Sequence, residues 1–437
     1  MQEVQSKNKY SLILENVSKY FLYLLIIYLP FYELVLHLLE SRTRLSTPAI
    51  FWFTHFYEPL IVLFVLAYII KFAIDKKISG VQKGDIYIII FILYAILLAF
   101  IRHNDIQRGL EGLRFLILPF VVYLIARLSN YSNPRRLIKI YLFIAVLFAA
   151  IGAFEYFFLP KGYMATYYQL ANFGFGENSL VTISQATALL AGPNQLASYL
   201  ILAFFYLLHR FFISKKSPLS EYENYFLLLV ILTIGLTYSR SALIGVAIGT
   251  IWMFIYFGKS SRSKIIYSIL SIAVALSLVF FYAIMHGELL RDLLTHGSSF
   301  SQHLSATHSS FNQFIHAGVV KILTGLGIGS AGPTALKLGG VITENYYLQI
   351  LFETGIIGFI LFLLFLIKII GKLYKSSKTL FFAFVALLIN ALFLHIFSDN
   401  PVMAVTVFII IAVVINIEER NSNVQVPMIN QSLNSKS

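Results

Sequence analysis

Long apolar runs separated by short polar segments dominate the pattern of the chain. The runs recur at roughly the length of a bilayer span, about 17 to 25 residues. They are continuous rather than alternating, which favours helices over the strands of a membrane barrel. The pattern predicts an all-α polytopic membrane protein with about 12 transmembrane helices, at 20–39, 58–74, 86–101, 113–127, 137–159, 186–208, 225–239, 241–257, 265–285, 345–370, 379–397 and 401–417.

Composition agrees with this pattern. The 437 residues are 58% apolar and 12% charged, whereas soluble domains carry about 25% charged residues. The chain has no cysteine, which excludes disulfides and thiol chemistry. The first apolar run begins near Tyr20 and is long enough to remain as a span, so we expect no cleaved signal peptide.

The apolar block 225–257 is too long for one ordinary span and is interrupted at Thr237–Ser241. An Arg near the bilayer centre costs at least a few kcal/mol. Two spans with Arg240 at the interface between them avoid that cost. An Arg at this depth is a candidate functional residue, and a structural ion pair or a cap of nearby carbonyls is the alternative.

The distribution of Lys and Arg sets the orientation. The net charge is +13, which in a membrane protein reflects the cytoplasmic bias of basic residues rather than a nucleic-acid partner. If both termini are cytoplasmic, most of the Lys and Arg residues lie on the cytoplasmic side. The cations on the outer side are mostly Arg, whose guanidinium binds phosphate through two parallel hydrogen bonds. This outer set is Arg42, Arg44, Arg102, Arg108, Arg114, Lys161, Arg240, Arg291, Lys321 and Lys337.

The predicted domain organisation is a single transmembrane domain, 1–420, followed by a disordered cytoplasmic tail, 421–437. A large extracytoplasmic loop, 286–342, lies within the transmembrane domain. Helical spacing over Ser305–Leu323 predicts a helix across the mouth of the bundle. The following glycines, at 325, 327, 329 and 332, let the backbone approach a ligand, and a plain tight connection is the alternative.

The loop ends at Thr343-Glu344-Asn345, where the next span begins. We expect Thr343 to cap that helix and Glu344 to lie in its first turn, where the helix dipole favours a carboxylate. That placement explains Glu344 structurally. It also puts a carboxylate where it could take a proton from a sugar hydroxyl. Glu353, nine residues further on, is expected to be more buried and to need a partner, an Arg, Ser, Thr or Asn side chain of a neighbouring span.

Several kinds of chemistry have no sequence signal. The chain contains no phosphate-binding Walker loop and no Gly-x-Ser-x-Gly nucleophile motif. The loop histidines, His296, His303, His308 and His316, are too far apart in sequence for one metal ion on one helix. We therefore expect neither a metal nor another cofactor.

Three segments together resemble the O-antigen ligase and Wzy-type polysaccharide polymerase superfamily. They are Thr-Tyr-Ser-Arg-Ser-Ala-Leu-Ile-Gly (237–245), Gly-Leu-Gly-Ile-Gly-Ser-Ala-Gly (325–332) and Glu-Asn-Tyr-Tyr-Leu-Gln-Ile-Leu-Phe-Glu-Thr-Gly-Ile-Ile-Gly (344–358). The likeness is strongest over 185–370. It implies a GT-C-like fold and an inverting, metal-independent glycosyltransferase. The implied donor is an undecaprenyl-diphosphate-linked glycan.

The resemblance also implies roles for particular residues. Arg240 matches the span-end Arg that contacts the donor diphosphate. Glu344 stands where the ligases carry a His before Asn, the proposed base, and this difference favours a polymerase. Arg291, the only Arg of the large loop, and His303 are candidates for the loop Arg of the family. His303 and His308 are further candidates for activating the acceptor.

The sequence therefore predicts a polymerase of lipid-linked oligosaccharide repeat units on the outer face of the bacterial cytoplasmic membrane. The expected partners are the lipid-linked donor, a glycan acceptor, membrane lipid and a chain-length regulator. One alternative is a ligase that moves glycan to a lipid or protein acceptor. A transporter or flippase is the other alternative, but the single asymmetric outer loop argues against two repeated halves.

Overall fold

The computed structural model describes residues 9–42, 47–75, 82, 84–101, 106–129, 131, 133–160, 185–190, 192–213, 219–257, 308, 311–332, 335, 343, 345–398 and 401–434. All the regular secondary structure elements of these ranges are helices. The helices are α1 (Lys9–Tyr28), α2 (Tyr32–Arg42), α3 (Thr47–Thr54), α4 (Tyr57–Asp75), α5 (Ile86–Ile101), α6 (Ile106–Leu128), α7 (Pro134–Phe158), α8 (Pro193–Ile213), α9 (Leu219–Leu236), α10 (Arg240–Phe257), α11 (Val319–Thr324), α12 (Tyr346–Ser376), α13 (Lys378–Asn390) and α14 (Pro401–Asn434).

Seven helical segments of the described chain are long and apolar enough to cross a membrane. They are Tyr10–Glu40, Tyr57–Ile74, Gln107–Leu128, Pro134–Phe158, Arg240–Phe257, Tyr346–Ser376 and Val402–Glu419. Shorter apolar helices cover Ile86–Ile101, Tyr222–Leu236 and Lys378–Asn390. The chain is therefore an all-helical polytopic membrane protein. The expected count of 12 spans is not confirmed, and the expected span 265–285 lies outside the described residues.

Two expected spans differ from the helices that form. The span placed at 186–208 begins as a helix only at Pro193, since 185–190 is non-helical chain. The span placed at 379–397 stops at Asn390, and a chain of turns follows to Ser398. In both places the non-helical backbone is bound to other parts of the bundle, as described below. The last helix continues to Asn434, into the segment 421–437 predicted as a tail, and each residue that joins a formed helix adds one backbone hydrogen bond.

The core consists of apolar and aromatic side chains contributed by nearly all the spans. Phe120 of α6 illustrates the packing, because its ring contacts Phe91 of α5, Phe365 of α12 and Phe408 of α14. All four rings are at most 1% exposed. α14 is the central helix, with most of its first 15 residues buried. This core holds the helix ends in fixed positions at both ends of the bundle.

The two ends of the bundle differ in chemistry. We call the end at which α10 and α12 begin the site end, and the other the far end. The far end holds a buried ion cluster. Arg127 of α6 is 0% exposed and pairs with Asp85 at 3.1 Å and with Glu419 at 2.7 Å. Lys372 of α12 pairs with Glu419 at 3.1 Å. The cluster therefore joins α6, α12, α14 and the start of α5.

Candidate functional site

The apolar block 225–257 divides into two helices, as the sequence predicts. α9 ends at Leu236, α10 begins at Arg240, and Tyr238 between them has a left-handed backbone (φ 55°). The hydroxyl of Thr237 donates to the carbonyl of Ile234 and accepts from the amide of Ser239. Side-chain oxygens thus satisfy backbone groups that the break would leave unpaired. Arg240 is consequently the first residue of α10, and its side chain is exposed.

The non-helical segment 185–190 is held beside this break. Glu155 of α7 is 8% exposed and accepts hydrogen bonds from the amides of Thr187 and Ala188, both at 2.8 Å. The amide of Ala186 donates to the carbonyl of Leu236, at the end of α9. A buried carboxylate requires such donors. The segment that precedes α8 is therefore anchored to the helix end that precedes Arg240.

The start of α12 differs from the expectation. Asn345 is the N-cap, since its Oδ1 accepts from the amides of Tyr347 and Leu348 at 2.9 and 3.1 Å. The hydroxyl of Thr343 instead donates to the carbonyl of Asn345 at 3.2 Å. The expected Thr343 cap is wrong. Because α12 begins at Tyr346, the residue next to it, Asn345, is the one whose side chain reaches the amides of the first turn. Glu344 therefore precedes the cap in sequence and is not part of the first turn.

The turns 391–398, which we call the α13–α14 turn, bind this helix start. The amide of Tyr346 donates to the carbonyl of Ala391, and the Asn345 side chain donates to the carbonyl of Leu392. The Nε2 atom of His395 lies 3.0 Å from the Thr343 hydroxyl. His395 is 5% exposed, and burial lowers the pKa of its imidazole to about 3. His395 is therefore neutral near pH 7 and anchors the residue that precedes Glu344 in the chain.

A second chain of hydrogen bonds runs from the α13–α14 turn into α12. The Ser398 hydroxyl donates to Gln349 Oε1 at 2.6 Å, and Gln349 Nε2 donates to Glu353 Oε1 at 3.4 Å. The amide of Ala331, in the glycine-rich loop, also donates to Glu353 Oε1 at 3.4 Å. Glu353 is 1% exposed, as expected, but these partners come from its own helix and from the loop instead of the expected Arg, Ser, Thr or Asn of a neighbouring span. It ties the loop to α12.

The glycine-rich loop, 325–332, is wedged between α6 and α12. The amide of Leu326 donates to the carbonyl of Phe352, next to a kink in α12 where Gly355 has φ 67°. A Cβ at Gly325 would lie 2.3 Å from the carbonyl oxygen of Glu353. On the other side, a Cβ on Gly112 of α6 would lie 2.5 Å from the amide nitrogen of Gly329. The glycines therefore permit close backbone packing, as the alternative of a tight connection requires, and an approach to a ligand stays a prediction.

Two of the outer arginines have partners on this side of the bundle. Arg108 Nε donates to the carbonyl of Gly329 at 3.3 Å. Arg114 pairs with Glu58 at 2.6 Å. Arg108 thus helps to hold the loop, although Glu111, three residues on, has the spacing of a local helical partner. Sequence spacing along one helix could not reveal a partner 221 residues away.

Of the five predicted site residues, the structure describes two. Arg240 is at the start of α10, and exposed His308 lies 3.3 Å, Nδ1 to Nδ2, from Asn312 on the same loop. No contact joins these two side chains within the described part of the chain. Glu344, His303 and Arg291 lie outside the described residues. The described ranges also contain no cluster of three His, Asp or Glu side chains able to hold a metal ion.

Packing between α10 and α13 sets the level of Arg240 along the bundle axis relative to the start of α12. A Cβ on Gly245 of α10 would lie 2.4 Å from the carbonyl oxygen of Ala386, one turn before α13 ends at Asn390. Arg240 precedes Gly245 by five residues, about 7.5 Å of helix rise. It therefore extends to the level of the α13–α14 turn, which binds Thr343 and Asn345.

A pocket opens on the opposite side of the α13–α14 turn. It is small, with a cavity volume of about 10 Å³, which is room for about one water molecule. Amide and hydroxyl groups at the start of α8 face aliphatic side chains from the turn and from α14. The lining residues are Leu190, Asn194, Gln195, Ser198, Leu394, Ile396, Val402 and Met403. The cavity is therefore too small to hold a sugar ring as it stands, and it marks a point where the start of α8 packs loosely against the turn.

Sequence reasoning missed His395, Ser398 and Gln349. Each is polar and at most 5% exposed, and each lies inside or beside an apolar run that reads as a span. Polar residues within apolar runs are a signal of internal partners. The partners themselves come from the fold, since 49 residues separate Gln349 from Ser398.

The fold and the site end thus define a polytopic helical membrane protein with a polar site at one end of the bundle. Residues 225–363 match the family model described as O-antigen ligase. The matched range includes Arg240, the glycine-rich loop and the start of α12, which confirms the resemblance to the O-antigen ligase and Wzy-type superfamily for this part of the chain. A ligase or polymerase activity on lipid-linked glycans in a bacterial inner membrane agrees with the match. No curated protein matches the chain.

Proposed function

We propose that this protein is a membrane glycosyltransferase that polymerises undecaprenyl-diphosphate-linked oligosaccharide repeat units. The site end would face the outside of the cytoplasmic membrane, as the distribution of Lys and Arg predicts. The observation that carries the proposal is the position of Arg240. A cation at a helix N-terminus is repelled by the helix dipole, and this one is exposed. A bound diphosphate would relieve that repulsion.

Arg240 would contact the diphosphate of the donor, together with the free amides of the first turn of α10. Glu344 would accept the proton of the acceptor hydroxyl, whose oxygen then attacks the anomeric carbon of the donor sugar. The bond from that carbon to the diphosphate breaks with inversion, and the departing lipid diphosphate carries the negative charge. His303 and His308 are alternative bases, and Arg291 is a weaker candidate for a second diphosphate contact.

The first test measures polymer formation by the full-length protein in proteoliposomes supplied with the lipid-linked repeat unit. Arg240→Ala is expected to lower the rate about 10- to 100-fold, because charge-assisted hydrogen bonds contribute about 1.5 to 3 kcal/mol. Arg210→Ala is the matched control. Arg210 is partly exposed and pairs with Glu223 at the far end. Full-length polymer from the Arg240→Ala variant at normal protein levels would overturn the role of Arg240.

Glu344 is tested in the same assay by two substitutions. Glu344→Gln removes the base with little change of shape, and we expect a loss of about 100-fold or more. Glu344→His restores an ionisable base, the residue that the ligases carry, and we expect it to retain more activity than Glu344→Gln. Equal activity of Glu344→Gln and the unmodified protein would exclude Glu344 as the base.

The description of the matching family favours a second function, that of a ligase. A ligase would transfer glycan once to a lipid or protein acceptor. The products of the assay separate the two functions. A ladder of products that remain on undecaprenyl diphosphate indicates a polymerase. A single transfer that requires an added acceptor indicates a ligase.

A further inference from the structure

The loop segment 311–324, which we call the arm, has two apolar faces. It consists of a helical turn, 311–315, and α11. On the inner face Phe314 stacks on Phe352 of α12, with ring centroids 4.9 Å apart. The outer face is exposed, and Val319 and Val320 are 72% and 63% accessible. Its other large apolar side chains are Phe311, Ile315 and Leu323, each more than 40% accessible.

The length of α12 gives the depth of the arm. The helix is kinked at Gly355, and the straight part that follows, 356–376, is about 31 Å long, which matches the roughly 30 Å hydrocarbon core. Lys372 and Lys375 lie in its last turns, and lysines there typically mark the membrane boundary. Phe352 lies three residues before the kink, beyond the site end of this straight part. The arm therefore packs on α12 where that helix leaves the hydrocarbon at the site end.

The charge of the arm also fits a position at the membrane surface. Residues 308–332 contain no Asp or Glu, and Lys321 is their only Lys or Arg. Lys321 is exposed and lies between two apolar residues of α11. Lys321 would be attracted to anionic lipid headgroups. The five exposed large apolar side chains would be more stable in lipid than in water.

We propose that the arm is an interfacial membrane element. It inserts Phe311, Ile315, Val319, Val320 and Leu323 into the lipid leaflet at the site end. The glycine-rich loop begins directly after the arm, at Gly325. Insertion of the arm therefore fixes the height of that loop at the membrane surface. The proposal concerns a lipid contact and holds whichever reaction the site performs.

The chain has no native cysteine, so single cysteines can be introduced for labelling. Ile315→Cys and Val320→Cys place a nitroxide spin label on the outer face of the arm. Gln313→Cys is the matched control, because Gln313 is an exposed polar residue of the same helical turn. The full-length variants are reconstituted into vesicles of phosphatidylethanolamine and phosphatidylglycerol. Power saturation then measures the accessibility of each label to oxygen, which partitions into lipid, and to a water-soluble nickel chelate.

We expect the labels at 315 and 320 to be severalfold more accessible to oxygen than to the nickel chelate, and the label at 313 to show the reverse. Nickel accessibility at 315 and 320 equal to that at 313 would overturn the proposal, because the face would then lie in water. Low accessibility to both reagents would also overturn it, since protein, such as a second copy of the chain, would cover the face. The measurement does not use activity and is independent of the proposed glycosyl transfer.

Discussion

The buried imidazole of His395 connects the α13–α14 turn to the start of α12. Its pKa in the folded protein, about 3, lies below the ordinary value of 6.5 because burial disfavours the charged ring. The unfolded chain therefore binds more protons than the folded protein between pH 6.5 and 3. The stabilising contribution of the neutral ring is complete above pH 6.5 and is lost as the pH falls through that window.

We accordingly expect the free energy of unfolding to fall between pH 7 and pH 5, with His395 contributing about 2 kcal/mol of the loss. In His395→Gln the side chain does not titrate, and its amide can still reach the Thr343 hydroxyl. The melting temperature of this variant in detergent should decrease less over the same pH interval. An identical decrease in both proteins would show that His395 does not cause the acid sensitivity.

The start of α12 also shows what the sequence could reveal at the level of single residues. Thr343 and Asn345 are both good capping residues, and they are two positions apart. The sequence could not decide between them, because the decision depends on residues of the α13–α14 turn. Asn345 caps since its side chain also reaches the carbonyl of Leu392, and Thr343 is held by His395.

Among the elements, the kink of α12 has the strictest steric requirement. Gly355 has φ 67°, and a Cβ there would lie 2.4 Å from the amide nitrogen of Gly325 and from the carbonyl oxygen of Leu323. Gly355→Ala should lower the free energy of unfolding by about 2 to 5 kcal/mol, through backbone strain and overlap with the loop. Thermal unfolding of the purified protein in detergent measures this effect.

Gly371 is the matched control in the same helix, because a Cβ there meets no atom within 4 Å. Gly371→Ala should be neutral or should stabilise the protein by up to about 1 kcal/mol, since Ala favours helix. Similar melting temperatures for the Gly355→Ala and Gly371→Ala variants would mean that the loop does not require the kink.

Apolar runs and charge predicted most of the helices. The helix ends that they did not predict depend on hydrogen bonds to residues distant in sequence. The division of 225–257 was visible because Arg240 makes a single span unfavourable. The end of α13 was not visible, because residues 391–398 remain apolar enough to read as a span. Their backbone groups are satisfied by distant residues such as Tyr346 and Asn345, and such pairing has no local signature. The candidate site was predictable in outline, from Arg240 and the start of α12, but not in its supporting network.

For the whole molecule, the buried ion cluster at the far end holds the helices whose opposite ends form the site. Arg127 is 0% exposed, donates to Asn416 and pairs with Asp85 and Glu419. Its removal leaves Lys372 as the cation paired with both carboxylates, at 3.1 Å from Glu419 and 3.7 Å from the buried Asp85, so the charge of Asp85 is poorly compensated, which is unfavourable. The cluster joins α6 and α12, and the glycine-rich loop is wedged between these two helices at the site end.

Arg127→Met should therefore lower the free energy of unfolding by about 3 to 5 kcal/mol, the usual cost of removing one partner from a buried ion pair. Arg210→Ala removes the partly exposed pair with Glu223 and should cost less than about 1 kcal/mol. Melting temperatures in detergent compare the two variants. Because Arg127 is distant from the site, the fraction of Arg127→Met that remains folded should keep its affinity for the lipid-linked donor. A selective loss of donor affinity in folded protein would instead mean that the far end controls the geometry of the site.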